Sequence, residues 1–110
     1  MITEDYVSFE TTKLLKEKGF NLDECEVHYD SYNHQEYEIT FQMAMKWLRE
    51  KHNLYVDVIL HSVNRTLIYE ARIDKINSPS DIDVILPQIN EPIYENACES
   101  AIKYCLENLI

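Results

Sequence analysis

The sequence predicts an α+β domain: an antiparallel sheet of three to four strands packed by helices on one face, in the order α-β-α-β-β-(β)-α. Three observations carry this. Residues 54–61 and 67–74 alternate apolar and polar side chains on either side of a short turn, the pattern of an antiparallel hairpin. Residues 41–52 and 92–109 instead repeat their apolar positions at helical spacing. The 110 residues suffice for one hydrophobic core, and a single Gly and three Pro leave little room for flexible linkers, so one domain spanning 1–110 is expected.

Taken in order, Ser8 can cap a helix that runs to Lys18, where Gly19 supplies a left-handed stop and Phe20 its hydrophobic contact. Val7, Thr11, Leu14 and Leu15 share its narrow apolar side. Residues 24–30 alternate, with Cys25, Val27 and Tyr29 opposed to Glu24, Glu26, His28 and Asp30, as in a half-exposed strand. Residues 30–38 are polar and aromatic and read as a loop. Thr40 caps the second helix, whose face is Phe41, Ala44, Met45, Leu48 and His52, flanked by Trp47; Asn53 can stop it. In the hairpin, Leu54, Val56, Val58 and Leu60 oppose Tyr55, Asp57, Ile59 and His61, and the turn falls near 63–65. Pro79 and Pro87 bracket Asp-Ile-Asp-Val-Ile-Leu, a short third strand or an ordered loop. The last helix carries the widest stripe, Tyr94, Ala97, Cys98, Ala101, Ile102, Cys105 and Leu109. Glu95, Glu99, Lys103 and Glu107 lie opposite at a spacing that gives modest ion-pair support.

The net charge of −10 is uneven: residues 1–38 hold ten acids against three lysines, 39–75 four acids against six bases, and 76–110 six acids against one lysine. The basic middle is either neutralised by its own flanks or is a less negative face for a partner. Such a surface repels phosphate backbones, so no direct nucleic-acid partner is expected. No apolar stretch approaches a membrane span, and Met-Ile-Thr-Glu-Asp-Tyr lacks a basic stretch followed by an apolar run, so neither membrane insertion nor a signal peptide is expected. Cys98 and Cys105 lie about 10 Å apart along a helix, beyond the ~7 Å that a disulfide tolerates. Free thiols in a reducing compartment follow, and a cytoplasmic location is expected.

The order of elements over 40–109 is that of double-stranded-RNA-binding domains, in topology only: Glu91, Glu95 and Glu99 stand where that family carries a basic cluster at its last helix. Three stretches, Ser8–Phe20 (SFETTKLLKEKGF), Gln42–Asn53 (QMAMKWLREKHN) and Ala97–Ile110 (ACESAIKYCLENLI), resemble a family of small proteins of gut anaerobic bacteria, often encoded in prophages and other mobile elements. The resemblance covers the three helices. It implies an intracellular, mobile-element context and brings no activity or site residues with it.

Candidate chemistry is sparse. Cys25, His28, Asp30 and His34 fall within ten residues but lack the paired spacing of structural zinc sites, and read as ordinary exposed polar residues. Cys98 and Cys105 sit on an apolar stripe, where a thiol is inert. Gly19 alone cannot build a phosphate-cradling loop. Glu70 and Asp74 alternate with apolar residues as exposed-face residues do, and His52 reads as a helix-end packing residue. No catalytic, cofactor or metal site is therefore expected. Tyr29, Tyr32, His34 and Tyr37 gather rings that either pack over the sheet edge or contact a partner, and they are the candidate partner-binding residues. The function expected is a non-enzymatic binding protein of a mobile element whose acidic surface engages a protein partner. A small enzyme or small-ligand binder with a dispersed site is one alternative. A homo-oligomer, such as a dimer closed through the exposed sheet face or the Trp47 flank, is another.

Overall fold

A computed structural model describes residues 6–21, 26–29 and 35–110, with the backbone alone at 26–29 and 35–38. The elements are α1 (Phe9–Glu17), β1 (Glu26–Tyr29), β2 (Gln35–Glu38), α2 (Phe41–His52), β3 (Leu54–Val63), β4 (Thr66–Ser78), β5 (Asp81–Glu91) and α3 (Tyr94–Tyr104), with a π-helical turn, Cys105–Leu109, continuing α3. β1 and β2 form an antiparallel ribbon, and β3, β4 and β5 an antiparallel sheet in that order. The predicted α+β class is the one observed.

Both long N-terminal helices start and stop where their caps dictate. The Ser8 hydroxyl accepts from the Thr11 amide at 3.2 Å, and the Thr40 hydroxyl from the Met43 amide at 3.1 Å. α1 ends in a Schellman turn: Phe20 N–H donates to Leu15 O and Gly19 N–H to Lys16 O, with Gly19 at φ 99°. Phe20 is thereby turned down into the core. α2 stops at Asn53, a left-handed residue with φ 55°. The β3–β4 turn places Asn64 at φ 50° and Arg65 at φ 66°, the two-residue geometry that matches strand twist.

Register fixes which side chains share a face. Leu54, Val56, Ala71 and Ile73 are buried, with Val58, Ile85 and Ile89 packed beside them. α3 lies over this face and touches all three strands, while α2 packs on β3 and α3. The contact residues of α3 are small: Ala97, Cys98 and Ala101, with Ile102 beside them, have no exposed surface. Small side chains bring the helix axis close to the sheet, and the remaining depth is filled by Leu48, Leu54, Ile73 and Leu106. α1 packs on α3 and its π turn.

Three elements differ from the sequence reading. Residues 30–38, read as a loop, include β2 at Gln35–Glu38; its polar sequence gives no apolar alternation, and its pairing with β1 supplies the strand. The open question at 75–90 resolves as β5, eleven residues long and running through Pro87. An edge strand tolerates the missing N–H of a proline. α3 gives way to π winding at Cys105. Glu99 also leaves the charge row read along the last helix. Its carboxylate accepts from the Ser8 amide at 3.1 and 3.2 Å and from the Thr11 hydroxyl, placing an anion at the positive end of α1. Lys103 keeps the expected four-residue ion pair with Glu107, at 3.9 Å, and bridges more closely to Glu10 at 2.9 Å.

Candidate functional site

Two surfaces among the described residues offer recognition chemistry. The first is a cleft of about 690 Å³ at the C-terminal ends of α1 and α2. The Schellman turn carries Phe20 to the edge of Trp47, with ring centroids 5.7 Å apart and planes at 63°. Trp47 meets His52 in turn at 4.6 Å and 67°. Such edge-to-face pairs hold rings in fixed orientation. Lys18, Lys46 and Lys51 line the same cleft against one carboxylate, Glu50. The helical period explains the grouping: Met43, Lys46, Trp47, Glu50 and Lys51 follow one side of α2. Cations at a helix C-terminus also offset the helix dipole. Lys18 Nζ donates to Ile110 O at 3.4 Å.

The second surface is the sheet face away from α3. Alternation and register place Tyr55, Asp57, Ile59, His61 and Val63 of β3 there, beside Ile68, Glu70, Arg72, Asp74 and Ile76 of β4 and Ile82 and Val84 of β5. Arg72 Nε pairs with Asp74 at 3.0 Å, and His61 Nε2 lies 3.6 Å from Glu70. Along β5, Ile82, Val84 and Leu86 are each more than half exposed within five residues, with Asp81 beside them. Scattered single apolar residues are ordinary on a surface, whereas a run of them marks a contact region.

The predicted partner-binding residues divide. Tyr29 stands opposite Gln35 on the β1–β2 ribbon, and Tyr37 opposite Val27. Tyr32 and His34 lie outside the described residues, as do Cys25 and Asp30 of the metal candidates, while His28 is on β1. No group of three or more metal-ligating side chains occurs among the described residues. Cys98 and Cys105 are buried, and burial pushes the Cys105 thiol up to about 12, the direction that leaves it protonated and unreactive. Burial, then a hydrogen bond with Cys98, pushes the Tyr94 hydroxyl up to about 12 as well. Tyr94 also meets Tyr69 edge-on at 5.8 Å. The hydrogen bond to Glu10 raises the Lys103 ammonium.

Sequence reasoning passed over the Phe20–Trp47–His52 row and the β5 run. The cleft joins residues some thirty positions apart, but the lysines on the Trp47 side of α2 were a usable signal. The β5 run was read as a short third strand or an ordered loop, and its exposure follows from α3 lying on the other face of the sheet. Among the described residues no helix is long and apolar enough to cross a bilayer. No protein-family model, curated protein or solved structure matches the chain.

Proposed function

We propose that the chain is a non-enzymatic binding protein whose acidic body engages a protein partner through the uncovered side of β5. The observation that carries this reading is the run Ile82, Val84 and Leu86, exposed on an edge strand beside Asp81 and, across the register, Asp74. An apolar anchor with two carboxylates nearby suits a partner surface with apolar and basic residues, and the net charge of −10 speeds encounter with such a surface. In one version the acids occupy a basic groove built for nucleic acid. The resemblance to proteins of mobile elements makes a host protein the first partner to seek. Tyr29, Tyr32, His34 and Tyr37 remain candidate partner-binding residues.

The test is affinity capture from a lysate of the host cell, run in parallel with the Ile82→Lys, Val84→Lys double variant at low and high salt. The reading expects a protein held by the native chain, lost by the double variant and weakened by salt. A capture profile identical for both chains would contradict it.

A second reading, small-ligand binding, is favoured by the cleft, whose three lysines and aromatic row suit an anionic, planar ligand. Trp47 is the only tryptophan, so its fluorescence reports the site directly. Titration with nucleoside monophosphates should shift that emission under this reading and leave it unchanged otherwise.

A further inference from the structure

The two edges of the sheet are built differently, and the difference concerns what can pair with them. On β5 the register passes from Ile85 opposite Ile73 to Ile89 opposite Ala71, so Leu86, Pro87 and Gln88 together oppose Arg72. Pro87 has no N–H to offer, and Gln88 lies at φ 60°. A bulge and a proline are the usual means of closing an edge to further strands. β3 has neither. Leu54–Val63 pairs with Thr66–Lys75 residue for residue without a register shift, and contains no Gly or Pro. Among the described residues no strand pairs with its outer side.

The turn determines which groups face outward. Val63 and Thr66 close the two-residue hairpin, so Val63, His61, Ile59, Asp57 and Tyr55 direct their N–H and C=O groups to β4. Leu54, Val56, Val58, Leu60 and Ser62 therefore direct theirs to the free edge. The exposed apolar side chains of this strand are Tyr55 (42 %), Leu60 (54 %) and Val63 (48 %).

We propose that β3 pairs antiparallel with β3 of a second copy of the chain, about a twofold axis at Ile59, to make a continuous six-stranded sheet. Antiparallel pairing needs outward-facing residues opposite one another, and this register satisfies it: Val58 meets Leu60 of the partner subunit, and Val56 meets Ser62 of the partner subunit. With their symmetry mates these four pairs supply about eight backbone hydrogen bonds. On the uncovered face Asp57 meets His61 of the partner subunit, and Tyr55 meets Val63 of the partner subunit. Asp57 already stands opposite Arg72, and His61 lies beside Glu70, so the row Arg72, Asp57, His61 of the partner subunit, Glu70 of the partner subunit alternates N–H donors with carboxylates. The next allowed registers, centred on Val58 or Leu60, set Asp57 opposite Ile59 or Val63 and lose that match. Leu60, Val63 and Tyr55 of each copy are covered, while Ile82, Val84 and Leu86 stay free for another partner.

Sedimentation equilibrium across a wide concentration range tests the pairing, with circular dichroism to confirm that each variant is folded. The native chain is expected to reach dimer mass. Leu60→Lys, a change at an exposed position, is expected to give monomer with an unchanged spectrum, and Val84→Lys to leave the dimer intact. The register has its own readout: in a Cys25→Ser background, Ile59→Cys is expected to form an intermolecular disulfide on mild oxidation, because the axis brings the two copies of residue 59 directly opposite. A native chain that stays monomeric overturns the proposal and points to an extended peptide as the edge's occupant. A dimer that survives Leu60→Lys, or an Ile59→Cys chain that does not cross-link, overturns it equally.

Discussion

The two faces of the three-stranded sheet divide the molecule's work. On one, Leu54, Val56, Ala71 and Ile73 are sealed under Ala97, Cys98, Ala101 and Ile102 of α3. On the other, Tyr55, Val63, Ile82 and Val84 stay in water among Arg72, Asp74, His61 and Glu70. The strands and their alternation are the same on both. The difference is what lies above: one face is sealed by α3, and the other is covered by none of the described helices.

Truncating the covered face should give the largest effect. Ile73→Ala leaves a cavity under α3 and should cost about 2–5 kcal/mol, read as a lower urea midpoint with unchanged slope. Alkali probes the same face. The Cys105 thiol is raised by burial to about 12 from 9.0. Above pH 9 the unfolded chain loses this proton and the folded chain keeps it, so the folded state binds more protons and stability falls with rising pH. The decline from this thiol is about 1.4 kcal/mol per pH unit between its unfolded and folded values. Cys105→Ala should make the urea midpoint less sensitive to pH between 9 and 12, and an equally steep dependence would place the thiol in contact with water. Removing one of the charges that tie α3 to α1, Glu99→Gln, should cost about 1–2 kcal/mol, with the loss smaller in high salt. At the bottom of the scale Val84→Lys, on the uncovered face, should move stability by no more than about 0.5 kcal/mol while abolishing partner capture.

How much of this was legible in the sequence depends on how local each signal is. α2 and the turn end of the β3–β4 hairpin were readable to within a residue or two, because caps at Thr40 and Asn53 and the alternation on either side of the turn are written in contiguous residues, while β4 runs four residues past the alternation, to Ser78. The burial of Cys98 and Cys105 followed from the helical stripe in the same way. β5 was obscured by Pro87, which is at home there only because the strand is an edge, and edge position is decided by pairing rather than by the strand itself. β2 carries no apolar alternation. Glu99 looked like one member of an exposed row, and its partners, Ser8 and Thr11, lie some ninety residues away. The aromatic row from Phe20 to His52 needs two helix ends brought together, and the exposure of Ile82, Val84 and Leu86 depends on where α3 lies. The candidate site was therefore less legible than the fold: the tyrosines of the β1–β2 region stood out by composition, while the β5 run and the cleft became visible once the elements were assembled.

Hydroxyl-radical footprinting of the native chain, read residue by residue by mass spectrometry, tests the division between the two faces most directly. The account expects heavy modification at Ile82, Val84 and Leu86 and almost none at Leu54, Ile73 and Ile102. Comparable modification of both groups, or protection of the β5 run in the isolated chain, would contradict it.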